Sequence, residues 1–541
     1  MRIGLGHGSI DKASRLPTRP RGRLVASVLS CLLAVAGFGG LSAPSTAQAV
    51  KTSPPRPEIE AQVQSLIPEV ETYIATGMKA FDVPGLAIGI VVNDRLIYAK
   101  GFGVRGKADA RPVDPRTVFQ IGSATKGFLA ATLGIMVDRG RFRWDDRVVD
   151  LDPSFQLKDA WVTREFRVFD LLAQRSGLPP AVNDGLGIFG ISQDGLIRSL
   201  RHVEPVSSFR STFSYTNITH ILAGNIVAKA AGATDWNSVL HQEVLKPLGM
   251  ADTSTSAEAI EASPNHARGH RWTPAGTVEV PFTQLFPYDF EGAGDINSTV
   301  EDVFHWVRLQ LGKGTFEGKR LVSPESLAFT HTPKVAMTDR VSYALGWVIQ
   351  QTPNGTIVWH NGGTLSFGSY VGMAPDKKVG VIVLTNETNV GLPDAVGMWV
   401  MDRILGNDKV DHVANGLKSA TAGFEASNAL FAKPAQPRPF PPTPSLAGKF
   451  LNPSFGQVEL TVDGDALAMK IQATGATLKL EPWDGDIFTA RLMPLGVFAP
   501  MVENIGPHPS AFVQFQIDKE GKLDLFRLSL DDGQAYEFSR E

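Results

Sequence analysis

At 541 residues the chain exceeds one ordinary domain and suggests two or three folding units. A hydrophobic fraction of 43%, a charged fraction of 20% and a formal net charge of -3 fit a soluble globular protein. They offer no basic excess for nucleic acid and none for an acidic membrane surface.

In chain order, the first segment is a leader. Arg19, Arg21 and Arg23 precede an uncharged run from Leu24 to Leu41, and Ala47-Gln48-Ala49 supplies a small-x-small cleavage site. Residues 1–49 therefore read as a signal peptide, which makes the mature chain secreted or periplasmic with no membrane span after cleavage. An uncleaved anchor is the alternative, and lipidation at Cys31 a lesser one. Cys31 is the only cysteine, so the mature chain is expected to have no disulfide, thiol nucleophile or thiolate metal site.

Residues 50–410 form a mixed block. "EAQVQSLIPEVETYIATGMKAF" has helical spacing, and "GLAIGIVVNDRLIYAKGFG" holds two β-rich runs joined at Asn93-Asp94, a hairpin signal. Helices are expected at 123–139 and 217–231. Strands return with "TIVWHNGG", "SYVGMAP" and "VGVIVLTN", and "DAVGMWVMDRIL" closes the block as a helix. This order predicts an α+β domain whose antiparallel sheet is built from both ends of the block. Residues 411–445 read as a linker, proline-rich at its end, where "KPAQPRPFPPTP" carries six prolines. Residues 446–541 alternate apolar and polar residues between Gly/Asp turns and predict a small β-barrel or sandwich that folds by itself.

Three constellations in the mixed block carry chemistry. In "FQIGSATKGFLAATLGIMVDRG", Ser123 and Lys126 stand at i and i+3 where an apolar helical run begins, so their side chains share a face. Burial there lowers the lysine pKa and lets a neutral amine accept the serine proton. Alone the pattern is weak, since a capping serine before a solvated lysine has the same spacing, and Ser9 to Lys12 repeats it in the leader. In "STFSYTNITHILAG", Tyr215 and Asn217 straddle one residue and can aim a phenol and a carboxamide at one cleft; the bland reading is a packed tyrosine beside a helix cap. In "VWHNGGTLSFGS", His360 ends an apolar strand, and Gly362 and Gly363 permit close approach and leave N–H groups for an oxyanion.

Together, in this order, the three motifs resemble those of the penicillin-recognising serine hydrolases. Narrower likeness is to class C β-lactamases, D-alanyl-D-alanine carboxypeptidases, and the esterases and D-aminopeptidases related to them. The likeness covers about residues 58 to 405 and extends to "LLAQRSGLP", "GAGDINSTVEDV" and "YALGW". The final block resembles the lipocalin-like domain that some of these hydrolases carry.

The resemblance implies a β-lactamase-like fold: an antiparallel sheet flanked by helices, plus a helical subdomain, followed by a lipocalin-like barrel. It also implies catalytic roles for Ser123 as acylated nucleophile, Lys126 as proton acceptor, Tyr215 as proton shuttle and His360 on the site strand. Asn217, Gly362 and Gly363 would contact substrate, with the N–H groups of Ser123 and Gly363 forming the oxyanion hole. Whether Lys126 or Tyr215 is the acylation base stays open.

One departure bears on substrate. Where β-lactamases and carboxypeptidases have Lys-Thr-Gly, this chain has His360-Asn361-Gly362. A histidine, largely neutral near pH 7, favours esters or small amides and peptides over substrates with a terminal carboxylate, and is expected to gain charge toward pH 6. Gln174-Arg175 stands where relatives often have histidine. The expected function is serine hydrolysis of a small-molecule or peptide substrate, without cofactor or metal. The alternatives are a β-lactamase or carboxypeptidase and, in another class, a non-enzymatic ligand sensor or scaffold. Neither a Gly-x-Ser-x-Gly elbow nor a His-Glu-x-x-His zinc motif occurs.

Overall fold

Helix α1 (Arg56–Phe81) buries Ile59, Val63, Val70, Ile74 and Phe81, a stripe at helical spacing that covers one face of a sheet. The computed structural model describes residues 56–517, 523–530 and 533–541; the stretch expected to be a signal peptide, 1–49, with Cys31, lies outside them. After α1 come β1 (Gly85–Val92) and β2 (Arg95–Gly103), a hairpin whose turn residue Asn93 has φ 61°, as an Asn-Asp turn requires.

The remaining strands of this sheet arrive much later: β3 (Val335–Ala336), β4 (Val341–Tyr343), β5 (Val348–Thr352), β6 (Gly355–Gly363), β7 (Gly368–Ala374) and β8 (Val379–Thr385). The order across the sheet is β2-β1-β8-β7-β6-β5-β4-β3, with every neighbouring pair antiparallel. β1 joins the two ends of the block, pairing Ile88 with Val383. Every residue of β1 is buried because both faces of the sheet are covered. Leu86, Ile88, Ile90 and Val92 face α1, whereas Ala87 and Val91 face the helical region, as a period of two dictates.

That helical region is built around α2 (Thr125–Asp138), α3 (Ile218–Ala231) and α4 (Val300–Leu311). Twelve of the fourteen residues of α2 are buried, so it is a central helix rather than an amphipathic surface one. Phe128 on α2 stacks on Trp306 of α4 with ring centroids 3.9 Å apart. Helix α5 (Leu392–Leu405) packs beside α1 on the opposite face of the sheet.

The stretch expected as the start of a linker holds a helix, α6 (His412–Leu430). Its alanines, at 414, 420, 422, 426 and 429, explain this: helix propensity carries a segment that buries only Val413. The prolines begin after it.

The C-terminal block is a closed antiparallel barrel of β9 (Gly448–Asn452), β10 (Gly456–Asp463), β11 (Ala466–Ile471), β12 (Thr477–Asp484), β13 (Ile487–Leu492), β14 (Ala511–Ile517), β15 (Leu523–Leu530) and β16 (Ala535–Arg540). Its interior is filled by side chains such as Phe450, Leu460, Met469, Phe488, Phe526 and Phe538. It does not hang free on its tether. Phe455 packs on Phe189 at 5.8 Å between centroids, Tyr536 Oη donates to Asn183 Oδ1 at 2.8 Å, and Asn504 Nδ2 donates to the Pro281 carbonyl at 2.8 Å. The linker is pinned as well, through Arg438 on Asp484. Among the described residues no helix is long and apolar enough to cross a membrane.

Candidate active site

Ser123 lies in a single 3₁₀ turn, Gly122–Ala124, that runs straight into α2. Gly122 has φ +51° and packs so tightly on the end of β6 that a Cβ would fall 2.7 Å from the Gly363 nitrogen. Gly362 is tighter still: a Cβ there would sit 1.8 Å from the Ile121 carbonyl oxygen, which also accepts from Ser369 Oγ at 2.7 Å. Both glycines let β6 close against the serine turn, which brings Gly363 beside Ser123.

One helical turn beyond the half-buried Ser123, Lys126 is wholly buried. Its Nζ lies 3.0 Å from Ser123 Oγ, 2.7 Å from Asn217 Oδ1 and 2.7 Å from the Ala293 carbonyl oxygen. The last two can only accept, so they take two N–H bonds. A neutral amine then points its lone pair at the Ser123 hydroxyl. Burial favours that neutral form and pushes Lys126 from its ordinary 10.5 down to about 7, against the opposing charges of Asp184 and Asp295.

Tyr215 lies with its ring 4.8 Å from Lys126 Nζ. The segment that carries it is braced by Gln174, whose carbonyl accepts from Ser214 N at 2.8 Å and whose Oε1 accepts from Thr216 N at 2.6 Å. Gln174, unexplained by the sequence alone, thereby fixes the residues on either side of Tyr215. Asn217 begins α3 and is tied at both ends of its amide, to Lys126 and, through Nδ2, to Asp184 Oδ2 at 2.7 Å.

His360 differs from expectation. It is buried, its Nδ1 bonds the carbonyl of Asn361, and its Nε2 lies 3.0 Å from Tyr343 Oη. A carbonyl cannot donate, so Nδ1 carries the proton and Nε2 accepts from the tyrosine. Desolvation, with the positive charge of Lys126, lowers His360 to about 3. It therefore stays neutral near pH 6, which corrects the expectation that it charges there. Its ring centroid is 6.3 Å from that of Tyr215, so it borders the site from within the protein.

Thus Ser123, Lys126, Tyr215, Asn217 and Gly363 meet at one place, with Gly362 as the clearance and His360 behind Tyr215. Sequence reasoning missed two acids. Asp184 bonds Asn217, and Asp295 is buried with Oδ2 accepting from Trp236 Nε1 at 3.2 Å and a pKa raised to about 8, chiefly by desolvation. Asp295 lies inside the "GAGD" landmark, but nothing in sequence distinguishes a buried acid from a solvated one. Among the described residues no group of three His, Cys, Asp or Glu side chains is placed to hold a metal ion.

Residues 70–399 match the sequence profile of the family described as Beta-lactamase. The chain belongs to that family. Beta-lactamase-family members are serine hydrolases, and the Ser123–Lys126 pair occupies the matched region. Residues 432–540 match a domain of unknown function, DUF3471, which coincides with the barrel and the prolines before it. Among relatives of this family member, "Unguisins hydrolase ungD" of Aspergillus violaceofuscus is 26% identical over 79% of this chain and 83% of its own length. "Protein flp" of Staphylococcus aureus is 25% identical over 61% of this chain and 64% of its own. The fold is also that of the octameric penicillin-binding protein homologue from Pyrococcus abyssi, with a TM-score of 0.57, 22% identity, and coverage of 87% of this chain and 99% of that one.

Proposed function

We propose that the protein is a serine hydrolase that forms an acyl-enzyme on Ser123, acting on esters or on small amides and peptides. The observation that carries this reading is the wholly buried Lys126 amine, 3.0 Å from Ser123 Oγ with both N–H bonds directed elsewhere. Neutral Lys126 takes the Ser123 proton as Oγ attacks the substrate carbonyl carbon. The N–H groups of Ser123 and Gly363 receive the oxyanion, and Tyr215 passes a proton to the leaving group. Water then attacks the acyl-enzyme and regenerates Ser123. In this reading Lys126, not Tyr215, is the acylation base.

The neutral His360, turned toward Tyr343, favours substrates without a carboxylate beside the scissile bond. A relative named as a hydrolase, aligned over 79% of the chain, supports turnover rather than ligand sensing alone. In this reading the substrate is met outside the cytoplasm, as the signal peptide expected at 1–49 implies. A fluorophosphonate probe tests the assignment, with p-nitrophenyl esters, D-amino-acid amides and nitrocefin as substrates. Wild type is expected to be labelled and to turn over an ester, and a folded Ser123→Ala variant to do neither. Labelling without turnover of any substrate in the panel would replace the enzyme reading with a sensor.

A further inference from the structure

Asp184 takes no step in the reaction above, yet it is buried one residue away from the Lys126 amine, through Asn217. A carboxylate can only accept, so Asn217 must turn its NH₂ toward Asp184, which leaves Oδ1 facing Lys126. With the amide reversed, NH₂ would oppose the lysine N–H groups and the amine would lose an acceptor. Asp184 thereby decides which way Asn217 points, and through it where the Lys126 lone pair points.

The turn that carries Asp184 is closed by its own bond, Asp184 N donating to the Ala181 carbonyl at 3.1 Å, and is held further from outside. Ala181 has φ +52°, a left-handed conformation disfavoured for a residue with a Cβ, and Asn183 has φ +58°, which asparagine tolerates. Outside contacts offset that cost. Ala181 N donates to the Tyr215 carbonyl at 2.7 Å, Asn183 Nδ2 donates to Ser199 Oγ at 2.6 Å, and Asn183 Oδ1 accepts from Tyr536 Oη at 2.8 Å. Tyr536 belongs to β16, the last strand of the barrel, and is buried against the turn. An unbroken path runs from the C-terminal barrel to Ser123.

We propose that Asp184 is a positioning residue for Lys126 and that the barrel, through Tyr536 and Asn183, holds the turn that presents it. The C-terminal domain is then part of the support of the active site and does more than shape access. The kinetic part of this inference rests on Ser123 being the nucleophile; the effect on Lys126 does not. The groups that face Lys126 are Asp184 and Asp295 as acids, His220 and His360 as histidines held neutral by burial, and the Tyr215 ring. Of these, the two acids favour the ammonium form by their charge and the Tyr215 ring by its π face. Asp184→Asn removes one of them and frees the amide of Asn217 to rotate.

The test is a pH titration of protein labelled with [¹³Cε]lysine, the Lys126 signal being assigned by its loss in Lys126→Arg, together with fluorophosphonate acylation rates. Asp184→Asn is expected to lower the Lys126 midpoint by about one pH unit and to slow acylation at its alkaline plateau on the order of tenfold. Tyr536→Phe, which touches no group of the site, is expected to slow the plateau about threefold with ester KM little changed. A merely structural tyrosine would alter thermal stability and leave the plateau per folded molecule unmoved. If Asp184→Asn fails to fold, Tyr536→Phe carries the test. A folded Asp184→Asn with wild-type midpoint and plateau overturns the positioning role, and wild-type acylation by folded Tyr536→Phe overturns the role of the barrel. If wild type is not labelled at Ser123 but the Lys126 midpoint still falls in Asp184→Asn, the hydrolase reading fails and the positioning stands.

Discussion

If Lys126 is the acylation base, the pH dependence of acylation should report its burial. An ordinary lysine near 10.5 would be neutral in roughly three molecules per ten thousand at pH 7, whereas one near 7 is neutral in about half, a gain on the order of 10³ in competent enzyme. The same shift amounts to about 5 kcal/mol of discrimination against the ammonium, supplied by desolvation. The sign follows directly: protonation removes the base, so kcat/KM for a short-chain p-nitrophenyl ester should fall about tenfold per pH unit below 7 and flatten above 8. His360 and His220 cannot produce this limb, because both are held well below their ordinary range; Asp295, raised to about 8, titrates in the same window, and the lysine NMR titration assigns the limb to Lys126. The assay follows ester hydrolysis from pH 5.5 to 9 at the p-nitrophenol isosbestic wavelength, with fluorophosphonate labelling as a check free of chromophore ionisation. A plateau already reached at pH 5.5, or a tenfold rise per unit that continues past pH 9, would refute the argument from Lys126 burial.

Two further outcomes follow from the same geometry. The ratio of ester to nitrocefin kcat/KM should favour the ester and stay constant between pH 6 and 8, since His360 remains neutral throughout; a ratio that narrows severalfold toward pH 6 would show a charged histidine in contact with substrate. A chain ending at Lys433 should be poorly soluble or markedly less stable, because it bares Phe189 and leaves Asn183 Oδ1 without the Tyr536 hydroxyl. Each buried aromatic or unsatisfied polar group costs roughly 1–3 kcal/mol, and a truncated chain that melts and acylates like wild type would show the docking to be inconsequential.

Much of this protein is decided locally, and that part was legible in the sequence. Ser123 and Lys126 meet because three residues make one helical turn, and Asn93-Asp94 turns a hairpin because asparagine tolerates a positive φ. The alternation after Gly448 closes a barrel because a period of two puts every second side chain inside. Sequence left open the local form of the stretch between the two blocks, where the alanine-rich α6 bridges them as a helix.

What only tertiary structure decided is the chemistry of the pair. The depressed pKa of Lys126 arises from burial among residues distant in the chain, such as Ala293, 167 positions away, whose carbonyl it bonds. The neutrality of His360 comes from its enclosure with Tyr343, and the orientation of Asn217 from Asp184, which sits on a turn held by Tyr536 some 353 positions downstream of Asn183. Spacing fixes which side chains share a face of one element. Desolvation depends instead on what the rest of the chain packs around them, and that is a property of the fold.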